Sequence, residues 1–196
     1  TEFQSVRMGF AAQRSDLFTD PHSSAAEALY WVQNNGNTYT EVQNVGIPPI
    51  ALTYYGTRFD TFEYSLGWSY DSRNRALFAD RGSRHRLSAS YALPFSDIDF
   101  VSFNYDYLQF IPVSKWFTLM FNSEAGYGQA LGDTTSMPPY RRFFAGGPET
   151  VRGYRESRMG PKDSFGNPYG GNIKFTNQFE LLLPMPAKWR NSARFS

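Results

Sequence analysis

The sequence predicts an all-β chain, an antiparallel transmembrane β-barrel present as a partial barrel of about six strands, and three observations carry that prediction. Aromatic residues make up 18% of the 196 residues, with 18 Phe and 13 Tyr. They fall in segments where every second residue is apolar and the rest are polar or small. The connections between those segments alternate between long loops and short turns, as the two rims of a membrane barrel require.

The mean hydropathy of -0.49 suits such alternation, because each strand dilutes its apolar face with a polar one. No apolar run approaches the eighteen or so residues of a membrane helix, which excludes a helical membrane protein and leaves a β-barrel open. The absence of cysteine rules out disulfides and thiolate chemistry, and a formal charge of +1 argues against a nucleic-acid partner.

The first strand is expected over residues 2–14, with Val6, Met8, Phe10 and Ala12 on one face. The second, 58–71, is the clearest: Phe62, Tyr64, Leu66, Trp68 and Tyr70 alternate with Thr61, Glu63, Ser65, Gly67 and Ser69. Residues 84–94 set Leu87, Ala89, Tyr91 and Leu93 against Arg84, Arg86, Ser88 and Ser90. In 98–111, Val101, Phe103, Tyr105 and Tyr107 oppose Ser102, Asn104 and Asp106. The fifth strand, 116–129, places Phe117, Leu119, Phe121 and Ala125 opposite Asn122, Glu124, Gly126 and Gly128. The sixth, 172–183, places Ile173, Phe175, Phe179, Leu181 and Leu183 opposite Lys174, Gln178 and Glu180. In a barrel the apolar set meets lipid and the polar set faces the lumen.

Strand parity puts the long connections 15–57 and 130–171 on one rim with the tight 95–97 turn, and the 72–83 and 112–115 turns on the other. Long loops mark the extracellular rim of such barrels. Within 15–57, Ser24-Ala25-Ala26-Glu27 reads as a capping box ahead of Ala28–Val32 and Gly36, predicting a short surface helix that acts as a lid. Six strands with unpartnered edges do not complete a membrane barrel, so the chain reads as a fragment. Pro184, Pro186 and Asn191 mark a turn, and Arg194-Phe195-Ser196 reads as the start of a further strand.

The 130–171 loop contains Arg141-Arg142-Phe143-Phe144-Ala145-Gly146-Gly147-Pro148-Glu149-Thr150-Val151-Arg152-Gly153-Tyr154. Gly146, Gly147 and Gly153 permit backbone angles or close approaches closed to other residues, and Arg152 offers a planar five-donor fork. From these residues alone, a surface excursion with a solvated Arg152 is the favoured reading, with Phe143, Phe144 and Tyr154 as packing residues. The arginines 73, 75, 81, 84 and 86 around the 72–83 turn suit either lipid head groups and partner proteins or plain solvent. His22 and His85 lack metal-ligand spacing, and Asp71, Ser72 and His85 form no recognisable nucleophile motif. Catalytic, cofactor and metal sites are therefore expected to be absent.

The motif Val151-Arg152-Gly153-Tyr154 following Gly146-Gly147, together with Gly67–Asp71, Phe78–Arg84, Gly160-Pro161 and Gly170-Gly171-Asn172, resembles the BamA family, the central barrel subunits of the bacterial β-barrel assembly machinery. The resemblance spans most of the chain. It implies a middle and late part of a C-terminal outer-membrane barrel over residues 1–196, with POTRA domains and the first and last strands absent. It also implies a non-enzymatic insertase that assembles β-barrel proteins in the Gram-negative outer membrane. Unfolded barrel proteins, the bilayer and accessory lipoproteins would be its partners, and no cofactor is needed. Related two-partner secretion pores and the translocation and assembly module share the motif, so a polypeptide-translocating pore is the alternative; a barrel enzyme such as a lipase is a weaker third.

In that family the loop enters the lumen and its arginine meets wall carboxylates. Glu180 has lumenal parity and lies about eight residues below the loop rim, roughly 20 Å down for a tilted strand. About twenty residues link Leu131 to Arg152, enough chain for the descent. Glu180 is thus the expected anchor for Arg152, with Asp106 and Glu124 as competitors.

Overall fold

The computed structural model describes residues 3–20, 23–77, 79–114 and 116–183, and its core is one antiparallel sheet. Its strands are β1 (Gln4–Thr19), β2 (Asn37–Val45), β3 (Ile50–Asp71), β4 (Gly82–Ala92), β5 (Phe100–Pro112), β6 (Thr118–Ala130) and β7 (Ile173–Leu182). The wall runs β1-β3-β4-β5-β6-β7, with β2 attached to β3. The sheet is unclosed, a partial barrel. The turn at Pro184–Asn191, the strand start at 194–196 and His22 lie outside the described residues.

Six of the seven strands follow the expected alternation. Val6, Met8 and Phe10 of β1, Leu66 of β3, Leu87 of β4, Phe103 of β5 and Ile173, Phe175, Phe179 and Leu181 of β7 are all exposed, and all share the face assigned to lipid. On a water-soluble sheet that exposure would be an aggregation surface; on a membrane wall it is the hydrocarbon-facing side. Near the turn rim this face carries an aromatic belt in which His85 meets Trp68, Tyr70, Tyr105 and Tyr107, its ring 4.7 Å from that of Tyr107. His85 Nδ1 lies 2.8 Å from the Tyr105 hydroxyl. Aromatic rings with a polar tip suit the membrane–water boundary.

The seventh strand corrects the reading of 15–57 as a loop with one helix. Residues 37–45 pair antiparallel with 50–58, so β3 is 22 residues long and its upper part forms a hairpin with β2 beyond the wall. The alternation in Asn37–Val45 is weak because that strand is exposed along nearly its whole length and has no face to bury. Between the stretches of β3 paired with β2 and β4, the 93–97 turn fills the edge: Leu93 donates to Phe62 O, Asp97 to Asp60 O, and Asp60 to the Asp97 carboxylate.

The helix α1 (Ala26–Asn34) forms where expected, but its capping box does not. Ala25 occupies the N-cap position, and Ser24 accepts from the Asp20 amide instead. The cap comes from the other long loop. Ala26 N donates to Ser164 Oγ at 2.9 Å, and Ser164 N donates to the Glu27 carboxylate at 3.0 Å. That reciprocal pair is the capping-box exchange made across 137 residues of chain. The Ser164 amide holds the Glu27 carboxyl below its ordinary range.

Beneath α1 lies the main apolar cluster. Trp31 and Val32 pack with Phe59, Ala92, Ile98, Phe100 and Met137, all buried. Trp31 stands edge-on to Phe59 at 5.7 Å and donates from Nε1 to Ser136 O. The helix is therefore stitched at both ends to 130–171, since Asn35 also exchanges two hydrogen bonds with Thr135. A second, smaller cluster at the opposite rim joins Ala79 of the 72–81 turn to Phe110 and Leu182.

Candidate functional site

The 130–171 loop contains almost no regular structure, one 3-10 turn at Pro139–Arg141 and isolated bridges, so its shape comes from the wall it lies on. The wall supplies a bare strip for it. Gly126 and Gly128 sit on the lumenal face of β6, and a Cβ on either would meet Phe143 at 2.8 Å or Met137 at 2.7 Å. The two glycines let the first arm of the loop lie flat on the strand. Phe143 also bridges Gly171 at the loop's exit, with each amide donating to the other's carbonyl at 2.9 Å. Arg142 stacks over Tyr169 at 3.8 Å and donates to Met137 O and Ser136 Oγ. Burial pushes its guanidinium below the ordinary arginine value.

Further along, Gly146 and Gly147 adopt φ of 115° and 100°, left-handed angles that let the chain double back. At Gly146 space adds a second constraint, because a Cβ would collide with the Arg155 carbonyl. Thr150 Oγ1 accepts from Gly146 N, and Val151 N donates to Gly147 O, closing a compact turn. Gly153, with φ of 88°, turns the chain again after Arg152.

The structure brings Arg152 and Glu180 together: Arg152 Nη2 lies 2.6 Å from Glu180 Oε1, with the Glu180 side chain only 9% exposed and that of Arg152 51% exposed. Next to this pair, Gln178 Nε2 donates to Pro148 O at 3.0 Å, a second tie between the same turn and β7. Of the competing carboxylates, Glu124 is paired with Lys174 Nζ at 2.5 Å. Asp106 stands in register between Arg86 and Glu124. Phe143 packs as expected. Tyr154, next to the turn at Gly153, is 59% exposed.

A second ion pair is absent from the sequence-based expectations. Arg141 Nη2 contacts Glu63 Oε2 on β3, with the side chains 34% and 12% exposed. The Arg141 guanidinium also lies over the Phe100 ring at 5.3 Å. Glu63 has lumenal parity, the same signal that picked out Glu180, and Arg141 opens the loop motif. Both clues were in the sequence, but no spacing joins two residues 78 positions apart.

The remaining candidates are held by separate partners. Asp71 is bonded to Arg73 at 2.7 Å, Ser72 Oγ to Ser83, and His85 to Tyr105, so the three groups face different partners. Among the turn arginines, Arg75 reaches Asp80 at 4.0 Å. Among the described residues no group of His, Cys, Asp and Glu is arranged to hold a metal ion, and no helix is long and apolar enough to cross a membrane.

Three comparisons bear on this arrangement. The model of the Omp85 superfamily domain matches residues 2–196. The chain is 37% identical over 140 residues to the outer membrane protein assembly factor BamA of Neisseria meningitidis serogroup B, covering 69% of this chain and 18% of that protein. Its fold superposes on the crystal structure of BamA from Haemophilus ducreyi lacking POTRA domains 1–3 with a TM-score of 0.81 at 22% identity, covering 99% of this chain and 37% of that one. The chain thus spans less than a fifth of its sequence relative and little more than a third of its structural neighbour. The exposed apolar face, the partial barrel and the inward loop agree with these likenesses, which place the chain in the Gram-negative outer membrane, and the chain belongs to the Omp85 superfamily.

Proposed function

We propose that this chain is the middle and late part of the barrel of an outer-membrane insertase, and that its 130–171 loop braces the wall from inside. The observation that carries the reading is the Arg152–Glu180 contact, which ties the turn holding Val151–Tyr154 to the lumenal face of β7. The 37% identity to a BamA protein supports the same activity over a pore. On this reading the protein uses no cofactor and catalyses no bond change. Unfolded barrel proteins are its substrates, the bilayer is its medium, and accessory lipoproteins assist it.

The work of the fragment is mechanical. An insertase must let its wall open toward lipid without collapsing, and a loop tied to β3, β6 and β7 resists that collapse. Removing one partner of a buried, hydrogen-bonded ion pair costs about 3–5 kcal/mol; the exposure of Arg152 lowers that figure for this pair. The long-loop rim faces outward, with α1 closing the lumen from above as a lid.

The test uses the complete parent protein in lipid vesicles and times the folding of an unrelated unfolded barrel protein. Acceleration that falls in Arg152→Glu and returns in part in Arg152→Glu/Glu180→Arg is the expected result. No acceleration, with ion conductance that rises in Arg152→Glu, would identify a translocation pore with the loop as its plug.

A further inference from the structure

The loop meets the wall at two levels. The deep contact is on β7, where Glu180 pairs in register with Met120, three residues into β6 from the turn rim. The upper contact is on β3, where Glu63 pairs in register with Ala92 at the loop-rim end of β4. Between β3 and β7 lie three strands, about 19 Å of wall at the usual strand spacing. Between its two rim ends the loop therefore crosses the inner face obliquely, touching β3 near the rim with its first arm and reaching deep beside β7 with the turn that holds Arg152.

The two contacts are built differently. The deep one includes the Arg152–Glu180 ion pair, half-exposed on its arginine side, with the Gln178–Pro148 hydrogen bond beside it. The upper one is closed from several sides. Arg141 is held between the Glu63 carboxylate and the faces of Phe100 at 5.3 Å and Tyr140 at 5.9 Å, and Tyr140 in turn stacks parallel on Phe59 at 6.4 Å. Phe59 and Phe100 belong to the buried cluster under α1. The ring faces on the Arg141 guanidinium add to its ion pair with Glu63.

We propose that Arg141 is a second positioning residue of this loop: its pair with Glu63 holds the first arm on β3 independently of Arg152–Glu180, so that opening the deep pair frees only the second arm. The proposal rests on the loop being the brace of the wall. It gives the loop a hinge. Residues 145–159 can leave β7 while 136–144 remain on β3 and β6, which lets the lower lumen open with the upper lumen still closed.

The experiment uses the parent protein in vesicles, with protease cleavage at sites introduced separately in the first arm, at Pro139, and in the second, at Glu149. Arg152→Glu should speed cleavage at 149 about tenfold and leave 139 protected; Arg141→Glu should do the reverse. Cleavage at 139 should slow again in Arg141→Glu/Glu63→Arg, a restoration that a merely space-filling Arg141 would not show. Heat-modifiable migration of each variant confirms that the barrel is folded. If Arg141→Glu leaves cleavage at 139 unchanged, or if the reversed pair restores nothing, the second anchor is wrong. Release of the first arm with no change in folding acceleration would keep the anchor and refute the brace.

Discussion

The two long loops of this chain reach the same rim and are held by opposite means. Residues 15–57 make their own structure, a nine-residue helix and a hairpin that continues β3 beyond the wall. Residues 130–171 make almost none and take their course from the glycine strip of β6, the carboxylates of β3 and β7, and α1. A loop built by local hydrogen bonds keeps its shape when the wall moves. A loop tied to several strands of the wall at once resists their moving apart, which is what a brace must do.

If α1 is fixed by packing on the wall and on Met137, Trp31→Ala should have the largest effect. The side chain is fully buried, and its loss should cost about 3–5 kcal/mol, read as a lower unfolding temperature of the parent protein and early cleavage within 26–36. An unchanged unfolding temperature would mean the lid contributes nothing to the barrel.

A smaller effect should separate the loops. Gly126→Val places a side chain where Phe143 now lies and should cost about 1–3 kcal/mol, exposing the first arm of 130–171 to protease while the β2–β3 hairpin stays protected. Equal exposure of both loops would erase the distinction drawn between them.

The smallest effect concerns the stitch joining them. Ser164→Ala removes the borrowed cap and should loosen α1 by about 1 kcal/mol, measured by hydrogen exchange at Ala26 and Glu27. The stitch should also respond to pH. Because the Ser164 amide lowers the Glu27 carboxyl in the folded protein, its contribution is whole above the ordinary value near pH 4.5 and fades as pH falls through the lowered one. Protection of Ser164 that does not decline on acidification would contradict this.

The legible part of the fold was the membrane wall, because lipid on one side and lumen on the other impose a period of two on every strand. Phe62–Tyr70 against Thr61–Ser69 shows it most plainly. The β2–β3 hairpin was missed for the complementary reason: outside the wall neither face of Asn37–Val45 is buried, and Pro48-Pro49 reads as loop. Ser24–Glu27 predicted a cap that Ser164 makes instead, since a local motif cannot reveal that a better-placed hydroxyl arrives from 138 residues away. For the loop, parity placed Glu180, Glu63, Gly126 and Gly128 on the lumenal side. It could not say which of them Arg141, Arg152 or Phe143 would reach, because that depends on how the loop crosses several strands.

The brace is tested most directly by locking it. With Pro148→Cys and Gln178→Cys in the complete parent protein, a short bismaleimide should join the turn of the loop to β7, since the long Gln178 side chain already spans that gap to the Pro148 carbonyl. The account predicts that the cross-link forms in the folded barrel and that the locked protein still accelerates the folding of another barrel protein. A cross-link that forms and abolishes that acceleration would show that the loop must leave β7 for function, and the brace would be wrong.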